Sequence, residues 1–233
     1  MTDLAHRDRD LRELMDDPDA DLTALRRTYA QFRLVNRLVA CWRRIYRRDL
    51  RPLLSADRET TLLDVGCGGG DVARALAGWA ERDGLRLRVT GIDPDPRAHA
   101  YAVASTGDRP ALEFRCCASR DLVAEGRRFD LVISNHVLHH LADSELTALL
   151  ADSTVLARRL ALHNDLLRSR VAYAGFHVLS RPAGSDSFLR TDGLRSIRRS
   201  YRPAELAVRL PAGWRVQPVF PFRLLLRWDA ADA

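Results

Sequence analysis

The sequence predicts an α/β protein with a doubly wound sheet, and three observations support this fold class. After Ser55, short apolar runs alternate with segments in which Leu and Ala recur at helical spacing. A glycine-rich turn follows the first of these runs. Two strand-like runs come last, with no room for a crossover helix between them. In sheets of this class, ligands bind at the carboxyl ends of the strands.

An amphipathic helix is predicted from Asp21 onward, because apolar residues recur at spacings of three and four as far as Tyr46. The arginines of this segment fall off the apolar stripe and are expected to face water. Asn36 is the polar exception on the stripe, and it either makes a hydrogen bond within a helix interface or faces a ligand. Pro52 ends the helical region. We therefore expect residues 1–55 to form an N-terminal helical cap or lid on a core of residues 56–233.

The core is predicted to alternate strands and helices. Five apolar runs are expected to be buried strands: Thr60 to Val65, Leu87 to Ile92, Leu112 to Cys117, Phe129 to Ser134 and Leu160 to His163. Helical spacing marks the segments between them: Val72 to Glu81, Pro96 to Ala104 and Glu145 to Leu156. The last two runs, Trp214 to Phe220 and Phe222 to Trp228, are expected to pair antiparallel at one edge of the sheet.

The charged residues are unusual, because all 37 basic residues are arginine and the chain has no lysine. This excludes a Schiff-base lysine and the lysine of a phosphate-binding P-loop. Acids are interleaved with the arginines, so the net charge of +6 indicates a solvated surface rather than a nucleic-acid site. The four cysteines lack paired metal spacing, and the adjacent Cys116 and Cys117 are expected to be small buried residues. With no signal-peptide-like start and no run of membrane-spanning length, a soluble cytoplasmic protein is expected.

The strand–turn–helix segment from Leu63 to Ala73 is the most informative part of the chain. It contains Asp64-Val65-Gly66-Cys67-Gly68-Gly69-Gly70, in the order Asp-x-Gly-x-Gly-x-Gly. A dinucleotide fingerprint needs glycine at the position of Asp71. An acid before the first glycine would repel a pyrophosphate. It suits a ligand with ammonium and sulfonium charges and no phosphate.

On these residues the chain resembles the class I S-adenosylmethionine-dependent methyltransferases. Asp93, which ends the second strand, corresponds to the acid that holds both ribose hydroxyls, and the segment from Phe129 to Leu141 resembles the fourth-strand motif. The resemblance implies a Rossmann-like seven-stranded sheet with an antiparallel terminal hairpin, and S-adenosylmethionine as cofactor. It implies cofactor contacts by Asp64, Gly66, Cys67, Gly68, Gly70, Asp93, Pro94 and Asn135. The acid that often lies beside adenine is missing, so Ala118 or Ser119 is expected to contact adenine instead.

Histidines are concentrated where the mouth of the active site is expected. His136, His139 and His140 follow the fourth strand, and His163-Asn164-Asp165 ends the fifth. A neutral hydroxyl acceptor must lose its proton, and histidine is the usual base. Our hypothesis is a base drawn from His139 or His163, oriented by Asp165, with His139 preferred because related small-molecule methyltransferases often carry a histidine in this loop. The histidines could instead be residues at the rim of the active site. A metal site of the first three histidines is possible by spacing, but none is predicted, because the carboxylates of the family's metal-dependent branch are absent.

The predicted substrate is a planar apolar small molecule bearing a hydroxyl. Its expected contacts lie on the N-terminal helix, in the histidine loop and between the fifth and sixth strands: Phe32, Asn36, His136, His140, Tyr173 and His177. Further segments resemble methyltransferases of quinones and polyketide-derived phenols: Tyr29 to Leu38, His163 to Arg170 and Ser200 to Leu206. The resemblance implies O-methylation of a phenol or hydroxyquinone in secondary metabolism. C-methylation, RNA methylation by way of the basic stretch Arg190 to Arg199, and a non-catalytic cofactor-binding homologue are the alternatives. A homodimer is left open.

Overall fold

One seven-stranded sheet forms the centre of the protein, in the strand order β3-β2-β1-β4-β5-β7-β6. The computed structural model describes residues 3–181 and 186–230, and of Arg37 and Leu38 it describes the backbone alone. Residues 1–2 of the predicted cap, and residues 182–185 and 231–233 of the predicted core, lie outside the described residues. The strands are β1 Thr60–Val65, β2 Leu87–Ile92, β3 Leu112–Arg115, β4 Phe129–Asn135, β5 Ala157–Leu166, β6 Trp214–Val219 and β7 Arg223–Asp229. The first five are parallel, and β7 runs antiparallel between β5 and β6. This confirms the predicted fold and its terminal hairpin.

Helices cover both faces of the sheet. They are α1 Leu22–Val39, α2 Trp42–Ile45, α3 Asp71–Arg82, α4 Pro96–Ala104, α5 Ser119–Ala124, α6 Asp143–Leu156, α7 Arg170–Leu179, α8 Leu189–Arg199 and α9 Pro203–Ala207. A π-helical turn, Tyr46–Leu50, follows α2, and a 3₁₀ turn, Leu138–His140, follows β4. Within residues 3–181 and 186–230, none of the helices combines the length and apolarity needed to cross a lipid bilayer.

Two apolar layers, one on each face of the sheet, form the core. Successive residues of a strand point to opposite faces. Along β4, Leu131 packs in the layer that contains Leu76 of α3, whereas its neighbour Val132 packs in the layer that contains Leu150 of α6. Both β4 side chains are fully buried. Because both faces are covered, the central strands are continuous apolar runs, and this is the pattern that predicted them.

The predicted first helix is interrupted, and its continuation belongs to the core. Helix α1 ends at Val39, and Cys41 has a φ of 61°, which an α-helix does not allow. The carbonyl of Ala40 accepts a hydrogen bond from Asn164 Nδ2 at 2.7 Å instead of a helical one. The break turns Trp42 and Tyr46 into the layer beside α3. The prediction of one continuous helix was wrong, because this tertiary contact replaces a helical hydrogen bond.

The third strand is shorter than predicted. It ends at Arg115, so Cys116 and Cys117 lie beyond it. Cys116 is exposed and Cys117 is half-buried, which contradicts the expectation that both are buried.

An irregular segment, residues 3–20, precedes α1, and we call it the N-terminal arm. Arginines of the core bind its backbone carbonyls. Arg168 donates to Leu4 and Ala5, Arg199 to Leu11, Arg195 to Arg12, and Arg97 to Met15 and Asp17. Asp192 of α8 accepts from the backbone N–H groups of Leu14 and Met15. An irregular segment lacks the backbone hydrogen bonds of a helix or strand. These bonds satisfy its N–H and C=O groups instead.

Candidate functional site

A cavity of about 570 Å³ opens at the carboxyl ends of β1, β2, β4 and β5. It has two halves. The glycine-turn half is lined by Asp64, Gly66, Cys67, Gly68, Gly69, Asp71, Asp93, Pro94 and Asn135. The histidine half is lined by Glu13, Asp16, His136, His139, His140, Phe176 and Arg199. Helix α1 covers both halves with Tyr29, Phe32 and Asn36.

The glycine turn brings backbone close to the cavity. Gly66 has a φ of +65°, and a Cβ there would lie 2.6 Å from Val137 Cγ2. Gly68 has a φ of +51°, and a Cβ there would meet open space. Its N–H donates to Asp93 Oδ2 at 2.9 Å, while Asp93 Oδ1 accepts from the N–H of Asp95 at 2.9 Å. The turn therefore fixes a carboxylate beside exposed backbone.

Three carboxyl groups, Asp64, Asp71 and Asp93, line the glycine-turn half. Asp64 is 1% exposed, and neither of its oxygens has a hydrogen-bond partner among the described residues. Burial, together with the charges of Asp71 and Asp93, raises the pKa of Asp64 well above its usual range. Asp71 accepts a hydrogen bond from Asn36 Nδ2 at 3.0 Å. Three acids around one space favour a ligand with positive charge.

A chain of amides and one arginine links the two halves. Asn135 Nδ2 donates to Asn36 Oδ1 at 3.3 Å, and Arg223 donates to Asn135 Oδ1 at 3.1 Å and to Asn164 Oδ1 at 3.0 Å. Arg223 also donates to His136 Nε2. Burial, and then the charge of Arg223, lowers the pKa of His136 well below its usual range. The His136 ring is therefore neutral and acts as an acceptor.

Two histidines of the 3₁₀ turn meet three carboxylates in the histidine half. His139 Nδ1 donates to Asp165 Oδ1 at 2.7 Å, and the backbone N–H of His139 donates to Asp165 Oδ2 at 2.8 Å. On its other side, His139 Nε2 lies 3.3 Å from Glu13 Oε1. His140 lies 3.7 Å from Glu13 through Nε2 and 3.3 Å from Asp16 through Nδ1.

His139 is charged in this arrangement. Burial alone would lower its pKa, but the charges of Asp165 and Glu13 and the hydrogen bond to Asp165 outweigh burial and raise the pKa to about 9. The contact of Nε2 with Glu13 is an ion pair without good hydrogen-bond geometry. As long as Glu13 stays beside it, the ring carries protons on both nitrogens and has no free lone pair.

The structure does not bring His163 to the cavity. Its ring stacks on Trp214 with centroids 5.2 Å apart, and its Nδ1 shares a 2.7 Å hydrogen bond with Ser134 Oγ. Burial lowers the pKa of His163 to about 3. Asp165 bonds His139 rather than His163, so the geometry favours His139 of the two predicted bases.

Several other predicted contacts also lie outside the cavity lining. The N–H of Ala118 donates to Asp121 Oδ2 at 2.8 Å, and Ser119 Oγ donates to Asp152 Oδ2 at 2.6 Å, so both groups serve the start of α5. Gly70 packs against Phe114. Tyr173 lines a separate pocket of about 240 Å³, and His177 is absent from both linings, because α7 turns Phe176 to the cavity instead.

Sequence reasoning missed Glu13, Asp16, Arg199 and Arg223. Glu13 and Asp16 lie on the N-terminal arm, which carries no periodicity or motif. Arg199 was assigned to a basic stretch, but its guanidinium donates to the backbone carbonyls of His139 and His140.

Comparisons with solved structures identify the class of fold. A plantazolicin methyltransferase in complex with SAH aligns with a TM-score of 0.60 at 11% identity, over 93% of this chain and 92% of that one. Human N-acetylserotonin methyltransferase in complex with SAM aligns with a TM-score of 0.59 at 14% identity, over 87% of this chain and 55% of that one. The strand order and the antiparallel β7 are those of the Rossmann-like methyltransferase fold.

Sequence comparisons find methyltransferases among the proteins that match parts of this chain. A family described as "Methyltransferase domain" matches residues 62–159. A ubiquinone biosynthesis O-methyltransferase of Methylobacterium sp. (strain 4-46) is 39% identical over 84 residues, 36% of this chain and 31% of that protein. One of Chromobacterium violaceum is 29% identical over 167 residues, 68% of this chain and 69% of that protein. The chain thus spans about a third of the Methylobacterium relative. Over these parts of its length the chain is similar to methyltransferases.

Proposed function

We propose that the protein transfers a methyl group from S-adenosylmethionine to the hydroxyl of a small aromatic acceptor, a phenol or hydroxyquinone. One observation carries this proposal. A single cavity joins an acidic half, built on the glycine turn, to a half that holds a buried histidine–carboxylate pair. Methyl transfer needs cofactor and acceptor in one line, and a shared cavity supplies that alignment.

The residues of the glycine-turn half fit this cofactor. Its ammonium and sulfonium groups are positive, and the half offers the unpaired oxygens of Asp64 together with Asp71 and Asp93. Asp93 would accept from the ribose hydroxyls, and Gly68 leaves open space for the ligand beside its backbone. When bound, the cofactor supplies a methyl group already activated on a sulfonium.

Aromatic and apolar side chains favour a planar acceptor. Phe32 of α1 and Phe176 of α7 line the cavity from the cover, and Leu141 and Leu189 add apolar surface. Asn36 lies among them and bonds Asp71. This lining supports a small ring system with few polar groups rather than a peptide or a sugar.

His139 is the proposed base for the hydroxyl proton. The hydrogen bond from Nδ1 to Asp165 fixes the ring, so that Nε2 faces Glu13 in the cavity lining. The ring can accept a proton only when Nε2 is free, which requires Glu13 to move away or the proton to leave beforehand. Asp165 then acts as a positioning residue that stabilises the charge formed on the ring.

The relatives support an aromatic acceptor. The proteins named ubiquinone biosynthesis O-methyltransferase match this chain over part of their length, and their names refer to a quinone pathway and to oxygen as the acceptor. Methylation at carbon of a quinone is the closest alternative, because the same cavity would hold it.

RNA is a weaker candidate. The basic stretch on α8 that suggested it is engaged inside the protein, since Arg195 and Arg199 bind the N-terminal arm and Arg198 pairs with Asp8 at 2.6 Å. An RNA methyltransferase would lose affinity for its substrate steeply with salt, whereas the proposed enzyme would not.

We also propose a cytoplasmic location, because all four cysteines are free. A sizing measurement would show whether the protein is a homodimer.

The test is incubation of the protein with methyl-labelled cofactor and a panel of phenols, hydroxyquinones and RNA, with products identified by mass spectrometry. We expect methyl transfer to the oxygen of a small aromatic. His139→Ala should lower turnover at least 100-fold with cofactor affinity unchanged, because general bases contribute about 10²–10⁴-fold. His163→Ala is the matched control and should affect stability rather than chemistry. Equal turnover of the two variants would refute the assignment.

A further inference from the structure

We propose that Glu13, His139 and His140 form a binding site for one divalent metal ion of the zinc type, at the acceptor end of the cavity. From the sequence no metal was expected, because the carboxylates of the family's metal-dependent branch are absent. The inference deepens the proposed function: the metal site stands on the geometry alone, and only its catalytic consequence rests on methyl transfer.

The ligand atoms have the spacing of a metal site. One atom from each of the three residues lies within 4.8 Å of the others. His139 Nε2 is 3.3 Å from Glu13 Oε1, and His140 Nε2 is 3.7 Å from Glu13 Oε2. Zinc binds nitrogen and carboxylate oxygen at about 2.0–2.2 Å, so neighbouring ligands in a tetrahedral site lie ~3.3–3.5 Å apart. Small side-chain rotations would complete the site.

An unsatisfied buried atom points to a missing ligand. His139 is 1% exposed, yet its Nε2 has no hydrogen-bond partner in the part of the chain that the structure describes. Glu13 Oε1 lies 3.3 Å from this nitrogen, and Glu13 is itself 4% exposed. A buried polar atom without a partner is costly, and a bound ion is one way to satisfy it.

The surrounding residues orient both histidines as metal ligands. His139 Nδ1 donates to Asp165 at 2.7 Å, and His140 Nδ1 lies 3.3 Å from Asp16 Oδ2. Each pairing places a proton on Nδ1, so that Nε2 can offer its lone pair to a metal once the metal displaces its proton, as in carboxylate–histidine–zinc arrangements. Ser196 Oγ donates to Glu13 Oε1 at 2.7 Å and fixes the third ligand.

The local charge also favours a cation. Glu13, Asp16 and Asp165 bring three carboxylates to two histidines, whereas Arg199 is mainly engaged with backbone carbonyls. His136 is not part of the site, because Arg223 donates to its Nε2. Two histidines and one carboxylate are the ligand set of catalytic zinc sites that keep an open position.

The open position would face the cavity, where the acceptor binds. A hydroxyl coordinated there has a lowered pKa, so its proton leaves to water. The oxygen then forms its bond to the methyl carbon as the carbon–sulfur bond of the cofactor breaks. In this state His139 is a metal ligand and no longer the base. Coordination of the acceptor hydroxyl to the metal promotes loss of its proton instead.

Metal uptake by the full chain tests the site without any methyl transfer. Chelator-treated protein is titrated with Zn²⁺ by calorimetry and with Co²⁺ by visible absorption. We expect one ion per chain. Bound Co²⁺ should show a d–d absorption spectrum typical of a low coordination number. Mg²⁺ should not compete, because it prefers oxygen ligands.

Matched variants locate the ion. Glu13→Gln and His140→Ala should each weaken Zn²⁺ binding at least tenfold, while His6→Ala, an exposed histidine on the same arm, should not change it. Binding of the demethylated cofactor product and the melting temperature report folding in each variant. The inference is overturned if wild-type protein takes up no stoichiometric Zn²⁺ or Co²⁺, or if uptake is the same in all variants.

The two proposals fail separately. If chelated protein methylates an acceptor at the full rate and binds no metal, the metal site is refuted and His139 remains the base. If the metal binds in these residues but no acceptor is methylated, the site stands and the proposed function fails.

Discussion

Gly68 allows the glycine turn to be tested as the cofactor site, because a matched glycine elsewhere shares its backbone strain. Gly68 has a φ of +51° and lines the cavity, and an added Cβ would meet no atom within 4 Å. Gly84 has a φ of +68°, also with nothing within 4 Å, and it lies outside the cavity lining. Gly68→Ala and Gly84→Ala therefore differ in where the new methyl lies.

The expected magnitudes follow from this difference. A left-handed alanine costs about 1–2 kcal/mol, which lowers the melting temperature of a domain of this size by roughly 2–8 °C in both variants. Only in Gly68→Ala does the methyl occupy space proposed for the ligand. We expect a loss of at least tenfold in cofactor affinity for Gly68→Ala, equivalent to about 1.4 kcal/mol, and no loss for Gly84→Ala.

Calorimetric titration with S-adenosylmethionine and its demethylated product measures the affinity, and thermal unfolding measures the strain. The two variants should melt alike and bind differently. If both bind the cofactor within twofold of the unsubstituted chain, the ligand does not approach the backbone at Gly68, and the proposed cofactor site is refuted.

Three further substitutions test separate contacts. Asp64→Asn should stabilise the ligand-free protein by about 1–3 kcal/mol at neutral pH, because a buried carboxylate without partners is costly, and it should weaken cofactor binding. The raised pKa of Asp64 destabilises the wild type increasingly as pH rises above about 4, and denaturant unfolding should show this slope reduced in the variant. Ser119→Ala should cost about 1 kcal/mol through its lost bond to Asp152 and leave cofactor affinity unchanged. Gly66→Ala should destabilise more than Gly84→Ala because of the 2.6 Å contact with Val137, and Val137→Ala should restore part of the loss.

Each of these has a contradicting result. Unchanged cofactor affinity in Asp64→Asn would remove that acid from the site. A tenfold weaker cofactor complex in Ser119→Ala would restore the adenine contact expected from the sequence. If Val137→Ala gives Gly66→Ala no rescue, strain in the turn rather than the steric contact explains the loss.

The sheet and the glycine-turn half were predictable because their determinants are local. Continuous apolar runs mark strands that are buried on both faces, and Asp64, Gly66 and Gly68 follow one strand directly. Asp93 could be placed beside them, because the carboxyl ends of adjacent parallel strands meet at one edge.

The histidine half was only partly predictable, because its partners come from distant parts of the chain. Asp165 was expected to orient either His139 or His163, and only the structure shows that it pairs with His139 while His163 stacks on Trp214. Glu13 reaches His139 from an irregular arm held by arginines, and no local pattern marks such a contact. The interruption of the first helix at Cys41 likewise depends on tertiary hydrogen bonding.

The most direct test of the central claim is transfer of a labelled methyl group from S-adenosylmethionine by the purified protein. We expect the label on the oxygen of a phenol or hydroxyquinone, one demethylated cofactor per methylated product, and a rate indifferent to moderate salt. Failure of the protein to bind S-adenosylmethionine or its demethylated product in calorimetry would contradict the account.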